Sequence, residues 1–321
     1  MTLPHNRLGL DYHATPPGHF ARPRVDIHTH TREVALTRVM VDAARAYGVA
    51  KIVTMAPLED VTALQTAFPG VFEFIAIPNW KAVSNSPAAM ADWIERIAAF
   101  RQHGAKLIKF HMAPGTRRRW GVSLDDPAIR QVAQHAYDLG YAFMSHVGDP
   151  KSWFTNPSKY GDGSYGSFAD QFAPLDRFLA AYPDRVHMGA HMGGSLEDLP
   201  ALAQRLDRYP NYIVDTSATK WIIRAIAEGE RNQLREFFLR YQDRILFGSD
   251  LVVGEHYDWD HYASRYWTHW QQWETTYRGP SPIADPDARN GDPQLVGLDL
   301  PDAVLEKIYL TNAQRWLDIT I

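Results

Sequence analysis

The sequence predicts an α/β protein, a (β/α)8 TIM barrel with an aromatic-rich insertion after the eighth strand. Three observations predict it. Eight short runs rich in Val, Ile, Phe and Tyr recur along the 321 residues. Almost every interval between them shows helix-like spacing of Ala, Leu and charged residues. No linker interrupts the alternation, so residues 1–321 read as a single domain of a size usual for this barrel. An open doubly wound sheet would call for a Gly-rich phosphate turn after the first strand. Here that strand runs straight into His28-Thr29-His30-Thr31-Arg32.

The first run, VDIHTH at 25–30, places His28 and His30 on one face and Thr29 on the other, because strand side chains alternate. REVALTRVMVDAARAYG follows, with apolar residues three or four apart and a Gly at the helix end. KIVTMA at 51–56 and VFEFIAIPN at 71–79 are the second and third runs, and PAAMADWIERIAAFRQHG is the next helical interval. KLIKFHM at 106–112 sets Lys109 and His111 on a shared face; DPAIRQVAQHAYDLG then leads to YAFMSHV at 141–147, which ends near His146. The Gly- and Ser-rich segment 153–168 suits an active-site loop. VHMGAHMG at 186–193 carries His191, NYIVDTSA occupies 211–218, and ILFGSDL at 245–251 brings Asp250. Residues 254–300 form the insertion, dense in Trp and Tyr in its first half and in Pro, Asp and Gly in its second. Loops after barrel strands line the active site, so the insertion reads as a lid or specificity wall, or as a contact in a homo-oligomer, ahead of plain core packing. Its aromatic content suggests an aromatic or planar substrate.

Composition narrows the function. A net charge of −4 without a basic tail leaves no electrostatic footprint for nucleic acid or a membrane surface, and favours a small-molecule substrate. With no cysteine, chemistry must come from His, Asp, Glu, Lys, Ser or Tyr. No stretch approaches the roughly 18 uninterrupted apolar residues of a membrane helix, and the first residues lack a signal's apolar core, so a cytoplasmic protein is expected.

A single His-x-His triplet means little, since 14 histidines in 321 residues produce about 0.6 by chance. The arrangement of the rest carries the weight: His28, His30, His146, His191 and Asp250 all fall toward the C-terminal ends of expected strands, where barrel enzymes place their active sites. Imidazole and carboxylate donors suit one divalent ion, Zn2+ first, with Mn2+ or Fe2+ tolerated, and a catalytic site keeps a position for water.

These residues, with the AHMGG run at 190–194 and FGSD at 247–250, resemble the amidohydrolase superfamily. More narrowly they resemble the amidohydrolase-2 group that includes aminocarboxymuconate-semialdehyde decarboxylase and resorcylate-type decarboxylases. The resemblance implies that His28, His30, His146 and Asp250 bind the metal, and that His191 contacts the attacking water or the substrate. Asp250 would then move the proton in hydrolysis of an ester, lactone or amide-type bond; a non-oxidative decarboxylase of a planar or aromatic acid would use the same ligands. Lys109, with His111, is read as a substrate contact. In binuclear relatives a strand-four lysine is carboxylated and bridges two ions, and a structural ion pair is the third alternative for Lys109. A non-catalytic binding protein on a degenerate barrel is disfavoured by five chemically competent positions.

Overall fold

A computed structural model describes residues 4–321. Strand and helix alternate as expected for a (β/α)8 chain. The strands are β1 (Arg24–His30), β2 (Val49–Met55), β3 (Phe72–Ala76), β4 (Leu107–Met112), β5 (Ala142–Val147), β6 (His187–Gly189), β7 (Tyr212–Asp215) and β8 (Ile245–Leu246). A short β9 (Leu251–Val252) and a hairpin of β10 (Arg278–Pro280) and β11 (Gln294–Val296) come from the chain after β8.

Local chemistry sets the boundaries. The Val34–Ala46 helix stops before Gly48, which takes a left-handed φ of 77° that a side chain would resist. The Pro87–Gln102 helix starts with Pro at its first position, and the Ser86 hydroxyl accepts a hydrogen bond from the Ala89 N–H at 3.2 Å. β1 is buried on both faces apart from half-buried His30, the pattern of a parallel strand covered by helices.

The chain gathers into two compact units. The second unit, residues 55–62 and 73–215, holds a parallel run in the order β3-β4-β5-β6-β7. Phe110 of β4, Phe143 of β5 and Phe178 of the Ala173–Ala181 helix pack with ring centroids 5.3–5.9 Å apart, in edge-on geometry. Buried His187 meets the Ser145 hydroxyl at 2.7 Å, and burial drives its pKa down to about 3.

The first unit gathers residues up to 54, 63–72 and 216–321. Here β1 pairs in parallel with β9, Thr29 opposite Leu251 and His30 opposite Val252. The first half of the insertion is the Trp259–Glu274 helix, in which Tyr262, Tyr266, Trp270 and Trp273 are buried in this unit, while Tyr257 before it is 43% exposed. Glu274 closes that helix on a charge: its carboxylate accepts from Arg24 at 2.8 Å, from Tyr309 at 2.9 Å, and from the His19 and Phe20 N–H groups at 3.0 Å. The Arg24 guanidinium lies over Trp270, 4.5 Å from its ring centre.

Four expected strands, β3, β6, β7 and β8, are shorter than the sequence suggests, and at two of them the difference falls on site residues. β6 ends at Gly189 and β8 at Leu246, so His191 and Asp250 lie on turns beyond the strands and not on them. The physical reason is backbone sign: His191 and Asp250 have φ of 59° and 60°, which no strand accommodates.

Replacing Glu274 by Ala strands the Arg24 charge and two backbone donors in the interior. Urea unfolding should show a loss of about 3–5 kcal/mol, the range for breaking a buried pair; a loss under about 1 kcal/mol would remove Glu274 from the core's anchoring role.

Candidate metal centre

In the first unit the alternation of β1 puts Asp26, His28 and His30 in phase. The Asp250 N–H donates to the His28 carbonyl at 2.8 Å, and the Val253 N–H to the His30 carbonyl at 2.9 Å, so the turn after β8 is pinned alongside the end of β1. The two imidazoles then converge on one carboxylate oxygen: Nε2 of His30 lies 3.2 Å and Nε2 of His28 lies 3.4 Å from Oδ1 of Asp250. One donor atom from each of the three residues falls within 4.8 Å of the others.

The far side of His28 fixes what it can do. Its Nδ1 lies 2.9 Å from the Ser217 hydroxyl. In the tautomer with the proton on Nδ1, the Nε2 lone pair faces the Asp250 oxygen, and two acceptors so placed require a cation between them. His28 is fully buried, whereas the side chains of His30 and Asp250 keep 33% and 26% of their surface, leaving an open side for exchangeable ligands. A divalent ion fits this donor set.

Asp26 holds the arrangement from below. Its Oδ1 accepts from the Ser249 N–H at 3.0 Å and its Oδ2 from the Ser249 hydroxyl at 2.6 Å and the Tyr266 phenol at 2.9 Å. Burial raises its pKa to about 7 against the lowering effect of these donors. Beside Asp250 opens a cavity of about 290 Å3, bordered by Lys220, Tyr257, His261 and Arg265. Burial and the positive charges of Arg265, His5 and Lys220 depress the His261 pKa to about 3.

The second unit carries the other expected residues. β4 and β5 are in register with Lys109 opposite Met144 and His111 opposite His146. Lys109 is buried. His111 meets the Thr116 hydroxyl at 2.8 Å through Nδ1 and sits edge-on to His146, ring centres 4.7 Å apart. His146 is held on both nitrogens: Nε2 lies 2.9 Å from Asp149, and Nδ1 lies 3.3 Å from Nε2 of His191. The Tyr160 phenol donates to the second oxygen of Asp149, and burial together with that carboxylate keeps the phenol above its ordinary pKa.

His191 opens a run of four left-handed residues, His191, Met192, Gly193 and Gly194. Its N–H donates to Asp215 at 2.9 Å. A methyl group on Gly194 would lie 2.1 Å from the Val147 carbonyl oxygen, so the second glycine of AHMGG is there for space as well as for backbone sign.

Sequence reasoning missed Asp26, Asp149, Asp215 and Ser217. Asp26 shares the two-residue period of His28 and His30, and Asp149 follows His146 by three residues, so both were within reach of pattern alone. Ser217 and Asp215 carry no comparable signal. In the Arg117-Arg118-Arg119 run after β4, Arg117 is half-buried and donates to Gln171 at 2.9 Å, while Arg118 and Arg119 are exposed.

Fold and donor set together are those of a barrel chain with a candidate His/Asp site for a divalent ion. The chain belongs to the Amidohydrolase family, whose model matches residues 24–319. Members of this family use a divalent metal. A search of curated proteins finds no match. Among solved structures, a probable 2-pyrone-4,6-dicarboxylic acid hydrolase from Acinetobacter baumannii, with citric acid bound, aligns over 92% of this chain and 99% of its own at 11% identity, TM-score 0.54. A 2,6-dihydroxybenzoate decarboxylase from Rhizobium covers 93% and 99% at 15% identity, TM-score 0.55. A 5-carboxyvanillate decarboxylase from Novosphingobium aromaticivorans, complexed with manganese, covers 97% and 100% at 14% identity, TM-score 0.56. These likenesses show the TIM-barrel fold, and the neighbours include both hydrolases and decarboxylases.

The left-handed run gives a direct test. Gly194→Ala should destabilise the protein by about 3 kcal/mol or more, from the strain of a side chain at positive φ together with the clash at Val147. Thermal unfolding checks it, and a melting temperature within a degree of wild type would refute the turn.

Proposed function

We propose that this protein is a metal-dependent hydrolase that cleaves an ester, lactone or amide-type bond of a small, aromatic or planar substrate. The observation that carries the reading is the convergence of His28 Nε2, His30 Nε2 and Asp250 Oδ1. His28, His30 and Asp250 hold one divalent ion, and His146 is the fourth ligand by family resemblance; zinc is the first candidate, with manganese or iron as substitutes. Bound there, the ion would supply Lewis acidity to the site.

The chain's own residues supply the rest. Asp250 accepts a proton as the water oxygen bonds to the carbonyl carbon, and returns it to the departing oxygen or nitrogen as that bond breaks. His191 orients the water or donates to the oxyanion. Lys109 and His111 bind the substrate. Within the insertion 254–300 a lid or subunit contact is left to the segment around exposed Tyr257, because the helix after it is packed into its unit; the cytoplasm is the proposed compartment. Among the described residues no helix is long and apolar enough to cross a membrane.

Decarboxylation of a planar acid is the second reading. It is favoured by the two neighbouring decarboxylases, and it would use the same donors while carbon dioxide leaves in place of water adding.

Asp250→Asn should lower kcat by about a thousandfold or more, about 4 kcal/mol of barrier, with circular dichroism unchanged. Activity near wild type would end the assignment. A panel of esters, lactones, amides and aromatic acids followed by mass spectrometry separates the readings, since products gain water in one and lose carbon dioxide in the other. Ser217→Ala frees the back of His28 and should weaken metal affinity about 10- to 100-fold by competition with a chelator. An unchanged metal affinity would mean that Ser217 does not position His28.

A further inference from the structure

His146 is held from behind by a residue that its own chain folds back onto it. β5 ends at Val147, and Gly148 then turns the backbone at a φ of 75°, a left-handed value that returns Asp149 to the histidine three residues earlier. Oδ1 of Asp149 lies 2.9 Å from Nε2 of His146. With 4% and 7% of their surfaces exposed, the two residues have little water to exchange partners with, unlike a His–Asp pair on a surface.

The second carboxylate oxygen is engaged as well. The Tyr160 phenol, kept protonated by burial and by the Asp149 charge, donates to Oδ2. Tyr160 stands in the Gly- and Ser-rich segment 153–168. Its ring packs against Phe154 and Tyr165, with centres 5.2 Å and 4.6 Å away, and its N–H donates to the Trp153 carbonyl at 3.1 Å. The hydroxyl therefore reaches Asp149 from a fixed base, and the loop after β5 is tied to the end of its own strand through one side chain.

The proton on His146 follows from these partners. An ionised carboxylate only accepts, so Nε2 of His146 carries the hydrogen, and in the neutral ring Nδ1 keeps its lone pair. Nδ1 lies 3.3 Å from Nε2 of His191, the two rings nearly perpendicular with centres 4.4 Å apart. His28 is held the opposite way, with Nδ1 at Ser217 and Nε2 toward Asp250.

We propose that Asp149 is a positioning residue for His146: braced by Tyr160, it keeps the imidazole proton on Nε2 and leaves Nδ1 as the nitrogen for metal binding, a role that rests on the ligand assignment given to His146 above but not on the choice between hydrolysis and decarboxylation. A carboxylate behind a metal-binding imidazole fixes its tautomer and ring orientation and raises its basicity.

Long-range 1H–15N NMR spectra of the metal-free full chain, labelled at histidine and recorded at about pH 8 so that ordinary imidazoles are neutral, report which nitrogen of His146 carries the proton. The signal is assigned by its loss in His146→Gln. The Nε2–H form is expected in the wild type, and Asp149→Asn should no longer hold it alone. In competition with a chelator, Asp149→Asn should bind zinc about 10- to 100-fold more weakly. Tyr160→Phe keeps the ring in its cluster and removes only the phenolic donor, so zinc affinity weakened about threefold or more, the worth of one hydrogen bond, is expected there and covers the case in which Asp149→Asn fails to fold. An Nδ1–H tautomer in the wild type, or unchanged zinc affinity in either variant beside a loss in His146→Gln, would overturn the positioning role while leaving His146 a ligand. Wild-type zinc affinity in His146→Gln would end the ligand assignment and the positioning role with it.

Discussion

The converging donors His28, His30 and Asp250 rest on a carboxylate that is not one of them. Asp26 is buried at the middle of β1, and its two oxygens collect the Ser249 N–H, the Ser249 hydroxyl and the Tyr266 phenol. Three segments far apart in sequence therefore meet on one side chain: the first strand, the turn after the eighth, and the aromatic helix of the insertion. Each hydrogen bond contributes about 0.5–1.5 kcal/mol net, and losing the shared acceptor would leave several donors stranded at once. Ser249 precedes Asp250, so the position of the proposed base is inherited from Asp26 through one peptide unit.

This also explains what the aromatic helix does. Tyr266 reaches Asp26, Trp270 donates its indole N–H to the Tyr47 carbonyl at 3.2 Å, and Glu274 ends the helix on Arg24. The apolar bodies fill the unit while their polar tips are each given a partner, which is the condition for burying Tyr and Trp at all. Composition alone left lid, oligomer contact and core packing open, because a segment rich in Trp and Tyr after a barrel strand looks the same whether it faces solvent or core. Which ring is buried depends on partners contributed by β1 and by residues near 309, and no local pattern records those.

The sequence was most legible where regular periodicity persists. β4 and β5 match their expected limits to within one residue at each end, and Lys109, His111 and His146 stand where alternation put them. It was least legible at β6 and β8. VHMGAHMG and ILFGSDL look like strands by composition, yet they contain His191 and Asp250 in left-handed conformations that only a few residue types adopt, and then usually singly. Periodicity counts apolar residues and is blind to the sign of φ. The paired glycines of AHMGG were the available clue, since two adjacent residues without Cβ allow a close approach that a strand does not need.

The two mispredicted positions are the two proposed catalytic residues, and the coincidence has a physical basis. A side chain within a strand is aimed by the pleat, so its direction is set by the ladder and cannot be adjusted independently. A residue just past the strand end, held at positive φ, can be aimed elsewhere, but a non-glycine residue there costs about 1–3 kcal/mol unless its surroundings fix it. Each unit supplies that fixation with a buried carboxylate: Asp26 holds the N–H of Ser249, immediately before Asp250, and Asp215 holds the N–H of His191 itself. The carboxylate on a neighbouring strand thus converts an unfavourable backbone state into a rigid mount. A functional side chain on such a mount keeps its orientation when substrate arrives, so little reorganisation has to occur at the moment of reaction.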